Sequence, residues 1–94
     1  MVYVGRKPAA FYLARIITAM ANGQNALVIA RGNFIRKAIS VAVRAIKATG
    51  CRYEVRIDED VLSMDEQKRL IPRIEIRLMC VKAPPEGAQP AGEL

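Results

Sequence analysis

The segment Val28-Ile29-Ala30-Arg31-Gly32-Asn33-Phe34-Ile35-Arg36-Lys37 constrains the fold more than any other part of the chain. Ala26 to Ala30 is an unbroken apolar run of strand length, the pattern of a strand covered on both faces or lying mid-sheet. Gly32 breaks it. Asn33 is placed to cap a helix, its side-chain oxygen accepting from a first-turn N–H, so the helix begins near Phe34. The same construction stands earlier: Val2-Tyr3-Val4 is a short strand, Gly5 a turn, Arg6 and Lys7 basic, and Pro8 a favoured first helical residue. Two such units in succession require a β-α-β crossover with parallel strands, which brings both turns to one edge of the sheet. Arg6 and Lys7 thereby converge on Arg31, Arg36, Lys37 and the second helix start, whose open N–H groups carry partial positive charge. Such an edge suits a phosphate.

Helical spacing runs from Pro8 to Ala21, with Ala9, Tyr12, Leu13, Ile16, Ile17 and Met20 on one stripe, and Asn22-Gly23 ends it. The second helix places Ile35, Ala38, Ile39, Ala42, Val43, Ile46 and Thr49 inward and Arg36, Lys37, Ser40, Val41, Arg44 and Lys47 outward. Gly50 suits a left-handed stop. No acidic residue precedes Glu54. Ordinary surface helices interleave both signs for i,i+4 pairing, and these do not.

After Gly50 the pattern turns to alternation, in Tyr53, Val55, Ile57 and again in Ile74, Ile76, Leu78, as in the two strands of an antiparallel hairpin. One register sets Glu54 opposite Arg77, Arg56 opposite Glu75 and Asp58 opposite Arg73, three opposite-charge pairs on one face. The other face stacks Tyr53 on Leu78, Val55 on Ile76 and Ile57 on Ile74, and is expected to face the helices. Cys51 then lies opposite Cys80, so a cross-strand disulfide and two reduced thiols are both open. With no histidine in the chain, two isolated cysteines do not complete a zinc site, and neither metal nor cofactor is expected. Between the strands, Asp60 to Pro72 reads as a long connection, expected to project as an arm from the edge carrying Arg6, Lys7 and Arg31 and to present Lys68, Arg69 and Arg73 to a partner. A collapsed arm is the alternative. Residues 83–94, rich in Pro, Gly and Ala, read as a disordered tail after a single domain spanning 1–82.

The 94 residues suffice for one two-layer core. Fifteen Lys and Arg against nine Asp and Glu give a net charge of +6, and two of those acids, Glu86 and Glu93, lie in the tail. So basic a domain suits a polyanionic partner, nucleic acid first. No apolar run is long enough for a membrane span and no signal segment precedes a cleavage site, so a soluble, intracellular protein is expected.

The order β-α-β-α-β-β, Val4-Gly5-Arg6-Lys7-Pro8 and Ala30-Arg31-Gly32-Asn33-Phe34-Ile35-Arg36-Lys37-Ala38-Ile39 together resemble the Alba family, small basic chromatin proteins of archaea. The resemblance extends over residues 2–82. It implies an α+β two-layer sandwich like the C-terminal domain of translation initiation factor three, with a mixed four-stranded sheet and two helices on one face. It further implies a dimer that binds double-stranded DNA and RNA in the cytoplasm, on the chromosome, with the hairpin arms reaching toward the minor groove. Carried over by position, Arg6, Lys7, Arg31, Asn33 and Lys37 match the body contacts; the arm residues match loosely. Three departures stand out. Arg6 occupies a place where the family often has an acetylatable lysine; the arm is acidic, with Asp58, Glu59, Asp60, Asp65 and Glu66; and no aromatic residue lies between Arg44 and Thr49. In the last respect the chain is similar to the second Alba paralogue of some archaea, which pairs with the major form as a heterodimer.

The expected function is therefore sequence-independent binding of duplex nucleic acid through phosphates, in chromatin organisation, with Arg6, Lys7, Arg31, Asn33, Arg36, Lys37, Arg44, Lys68, Arg69 and Arg73 as the contact set. Alternatives are an RNA-stabilising role or a subunit of a ribonucleoprotein of the RNase P type, a small phosphate-handling enzyme at the Gly5–Pro8 turn, and a module whose arms serve only to dimerise. The enzyme lacks a convincing nucleophile beside a base, and a non-enzymatic role is expected. Few aromatic residues argue against single-strand stacking.

Overall fold

The computed structural model describes residues 1–64 and 66–80; the tail expected at 83–94 lies outside the described residues, as does Asp65. In chain order the elements are β1 (Val2–Tyr3), α1 (Ala9–Ala21), β2 (Ala26–Arg31), a 3-10 turn (Gly32–Phe34), α2 (Ile35–Thr49), β3 (Arg52–Met64) and β4 (Gln67–Met79). The sheet order is β1-β2-β4-β3, with β1 parallel to β2 and both other pairings antiparallel. This is the expected two-layer α+β sandwich with a mixed sheet. α1 lies against β1 and β2, and α2 against β2 and β4. Alternate residues Val2, Val4, Val28, Ala30, Ile74, Ile76 and Leu78 point at the helices and form the core with Tyr12, Ile16, Met20, Ala38, Val41, Ala42 and Ala45.

The α1 stripe packs as its periodicity predicts, all six apolar positions belonging to the core or lying against it. Helix α2 is rotated from its expected orientation. Val41, placed outward by the sequence reading, is fully buried, whereas Ile39 and Val43, placed inward, are exposed. Small residues explain the rotation: Ala38, Val41, Ala42 and Ala45 allow α2 to approach its neighbours closely, and the larger Ile39, Val43 and Ile46 are left to one side. The N-cap is also reassigned. Asn33 sits inside the 3-10 turn, and Phe34 holds the cap position with no side-chain bond to the first turn. At the other end Gly50 takes the left-handed conformation (φ 67°) and its N–H donates to the Ile46 carbonyl at 2.7 Å, as a glycine stop should.

The hairpin register is the predicted one, Glu54 facing Arg77, Arg56 facing Glu75 and Asp58 facing Arg73. Two expectations about the hairpin are corrected. First, Asp60 to Pro72 is not a structureless connection, because the ladder continues through Asp60–Ile71 and Val61–Leu70 to Met64–Gln67. Beyond Arg31–Arg73, the last pair of β2 with β4, no third strand lies beside the ribbon among the described residues. It therefore projects about 20 Å over six residue pairs. No core lies beneath it to impose apolar alternation, which is why its sequence did not read as strand. Pro72 falls one residue past the end of β2, where β4 has become an edge strand on that side and a missing N–H costs little. Second, Tyr53, Val55 and Ile57 share the helix side of the sheet but no helix among the described residues covers them, and they are 56%, 50% and 78% exposed. Two helices spaced about 8–10 Å apart cover about three strands, and β3 is the fourth. Cys51 and Cys80 lie just beyond the Arg52–Met79 end of the ladder and both are thiols. No helix among the described residues is long and apolar enough to cross a membrane.

Truncating the core and the arm should separate their roles. Leu78→Ala, at a fully buried position, is expected to lower the unfolding free energy by about 2–5 kcal/mol in urea titration. Leu70→Ser, on the exposed arm, should change it by less than about 0.5 kcal/mol.

Candidate nucleic-acid interface

The turn after β1 is fastened from both sides. The N–H groups of Gly5 and Lys7 donate to the Tyr12 hydroxyl at 2.9 and 3.1 Å, and the Lys37 ammonium donates to the Gly5 and Lys7 carbonyls at 2.7 and 2.9 Å. One clamp comes from the second turn of α1 and the other from the first turn of α2. Four main-chain groups that would otherwise turn to water are thus satisfied internally, two of them by charge-assisted bonds. Held this way, the backbone leaves the side chains of Arg6 and Lys7 exposed. The Lys7 ammonium rests over the Phe11 ring, 4.2 Å from its centroid.

The turn after β2 lies beside it, since parallel pairing places Val4 next to Ile29, its N–H donating to the Ile29 carbonyl at 2.9 Å. Arg31 ends β2 directly opposite Arg73 of β4, a like-charge pair that would be destabilising alone. Asp60 resolves it. Its two carboxylate oxygens take Arg31 Nε at 2.9 Å and Arg73 Nη1 at 2.8 Å. Arg73 also reaches Asp58 at 3.4 Å and Glu75 at 3.1 Å. The cluster fixes the root of the arm to the body of the sheet, and it accounts for two of the arm's acidic residues.

The positions singled out in the sequence fall into three groups. Arg6, Lys7, Arg31, Asn33 and Arg36 are exposed at the one sheet edge where both turns and the start of α2 meet. Lys37 is at that edge but half-buried, with its ammonium bonded to the first turn. Arg44 is exposed on the same helix, about 12 Å along its axis from Arg36. Lys68 and Arg69 are exposed on the arm, away from the body, and Arg73 is half-buried at its root among carboxylates. Sequence reasoning missed Tyr12 and Asp60 as organising residues. Tyr12 reads as one more apolar position of α1, with nothing to reveal its hydroxyl contacts. Asp60 was within reach, because extending the hairpin register by two pairs beyond Asp58–Arg73, to Asp60–Ile71, places it diagonally across from Arg73.

The chain has recognisable relatives. No protein-family model matches it. The DNA/RNA-binding protein Alba of Thermoplasma volcanium is 33% identical over 82 residues, covering 83% of this chain and 92% of that protein. The protein of the same name from Thermoplasma acidophilum is 32% identical over the same shares. The solved structure of Alba from Thermoplasma volcanium superposes with a TM-score of 0.76 at 29% identity, covering 83% of this chain and 96% of that one. Strand–glycine–basic turns at the right separation, the β-α-β-α-β-β order and this extent of identity agree: the chain belongs to the Alba family.

Proposed function

We propose that this protein binds double-stranded DNA and RNA without regard to sequence, as a dimer that coats and organises the chromosome in the cytoplasm. The observation that carries the reading is the convergence, at one sheet edge, of Arg6, Lys7, Arg31 and Arg36 with the start of α2, whose first turn has no side-chain cap. The Ile35 N–H is taken by the Gly32 carbonyl of the preceding turn, and the positive end of the helix with the full charges around it favours phosphate. The arm leaves from the same edge and carries Lys68 and Arg69 outward along the duplex, toward the minor groove. The named relatives support the ligand class. Asn33, Lys37, Arg44 and Arg73 complete the proposed surface, Lys37 chiefly by holding the turn that displays Arg6 and Lys7.

The dimer reading rests on the uncovered side of β3. Ile39, Val43 and Ile46 of α2 face Tyr53 and Val55 across an apolar groove of 370 Å³ floored by Ile74 and Ile76. A contiguous apolar surface of this kind marks an association site. A second copy, or a paralogue presenting the same face, would cover it by two-fold packing. The relatives are named for RNA as well as DNA, which keeps a ribonucleoprotein role as the second reading.

Fluorescence anisotropy with a random duplex DNA, a matched duplex RNA and a structured RNA, each titrated with salt, tests the ligand. A dimer making about six to ten phosphate contacts should lose roughly three to five decades of affinity between about 50 and 200 mM salt. Marked preference for the structured RNA would favour the second reading, and no binding to any of the three would overturn both. Lys7→Ala and Arg31→Ala should each weaken binding equally on unrelated sequences and lower the salt slope by about one per monomer. Val55→Asp should convert the dimer to monomer in analytical ultracentrifugation; an unchanged mass would place the interface elsewhere.

A further inference from the structure

A second concave surface lies on the opposite side of the molecule's helical layer from the apolar groove, between the outer edge of β1 and α1. This notch, of 330 Å³, is lined by Met1, Tyr3, Lys7, Phe11, Tyr12 and Arg15 among others. Its volume is at the lower end of the range for small-molecule sites. Three features distinguish it from an ordinary solvated crease. Phe11 is 38% exposed although it belongs to a helix with an adequate apolar stripe, and it is held edge-on against Tyr12, with ring centroids 5.3 Å apart at 89°. Two cations flank its ring, Lys7 Nζ at 4.2 Å and the Arg15 guanidinium at 5.8 Å. The third feature is main-chain. β1 is an edge strand, and because Val4 N–H is given to Ile29, alternation turns the N–H and C=O of Tyr3 away from β2, to the open edge.

An aromatic face, positive charge on both sides of it and an adjacent main-chain donor and acceptor are together what an unpaired nucleobase needs: a surface to stack on, hydrogen bonds for its edge, and a counter-charge for its phosphate. No acidic residue precedes Glu54, so none on β1 or α1 opposes a phosphate there. A wholly paired duplex cannot use the notch, since its bases are stacked on each other. We propose that the β1–α1 notch is a stacking site for a single unpaired nucleobase of DNA or RNA, with Phe11 as the platform, Arg15 and Lys7 on the flanking phosphates and the Tyr3 main chain at the base edge. Lys7 belongs to both surfaces, so a strand leaving the phosphate-binding edge at a frayed end or bulge passes directly into the notch. The inference rests on the nucleic-acid binding proposed above and adds single-stranded segments to its ligands. It also qualifies the expectation that few aromatic residues argue against single-strand stacking, because one well-placed ring suffices for one base.

The chain has no tryptophan, so Phe11→Trp supplies a single reporter on the platform itself. Its emission should be quenched by a short oligothymidylate and by an oligouridylate, and left unchanged by a blunt-ended duplex at saturating concentration. A second variant, Phe11→Leu, should weaken both oligonucleotides on the order of tenfold, within the range that one stacked base contributes. It should leave duplex affinity and the thermal midpoint unchanged. Quenching by only one oligonucleotide would still support the site and assign it to DNA or to RNA. Quenching by blunt duplex as well as oligonucleotide, or undiminished single-strand affinity in Phe11→Leu, would overturn the stacking proposal while leaving duplex binding intact. Failure of the wild-type protein to bind duplex would instead count against the function on which the proposal rests.

Discussion

Parallel pairing of β1 with β2 is the constraint from which the rest of this structure follows. Two parallel neighbours need a crossover, and α1 supplies it. Their two exits must then open at one edge, and the basic residues placed in those exits share a surface without any long-range attraction between like charges to bring them there. β4 enters antiparallel beside β2 and thereby carries β3, its hairpin partner, to the far side of the sheet. From that order come both the projecting ribbon, which begins where β2 ends, and the strand that no helix covers.

Like charges gathered at one edge repel, and the molecule manages this locally. Arg31 and Arg73 face each other because the register requires it, and Asp60 lies between them. Lys37 would add another cation to the edge, but its ammonium is bonded to two carbonyls of the neighbouring turn. The effect is a division of labour: some basic side chains hold the edge together and others remain exposed there. Arg6, Lys7 and Arg36 belong to the exposed group. A count of basic residues alone would not have separated the two.

Much of this was legible in the residues. The β-α-β-α-β-β order, the α1 stripe, the left-handed Gly50 and the hairpin register came from periodicity, turn chemistry and charge pairing, which are local or nearly so. The rotation of α2 was not, because Val41 and Val43 are chemically alike and only the packing of Ala38 and Ala45 against neighbouring elements decides which is buried. The strand character of residues 60–72 was hidden for a related reason: a ribbon with solvent on both faces has no alternation to display. Of the candidate edge, the cations were visible and the clamp was not. Tyr12 looks like any apolar helix position until the fold brings the Gly5 and Lys7 amides to its hydroxyl.

The separation of charge along the chain has a consequence for its synthesis. Arg31 precedes its carboxylate partner Asp60 by the whole of α2 and the first part of β3, an interval on the order of seconds at ribosomal rates. Until Glu54 appears, every charged side chain made is positive. The nascent half is thus a polycation emerging at a surface built largely of RNA. Asp58 and Asp60 are made after Arg31 but before Arg73, so Arg31 waits for its carboxylate while Arg73 finds two already made. The carboxylates that meet Arg31 and Arg73, from Asp58, Asp60 and Glu75, all lie on the hairpin, so the positive charge at that edge is tempered only when the hairpin folds, while the net charge stays at +6.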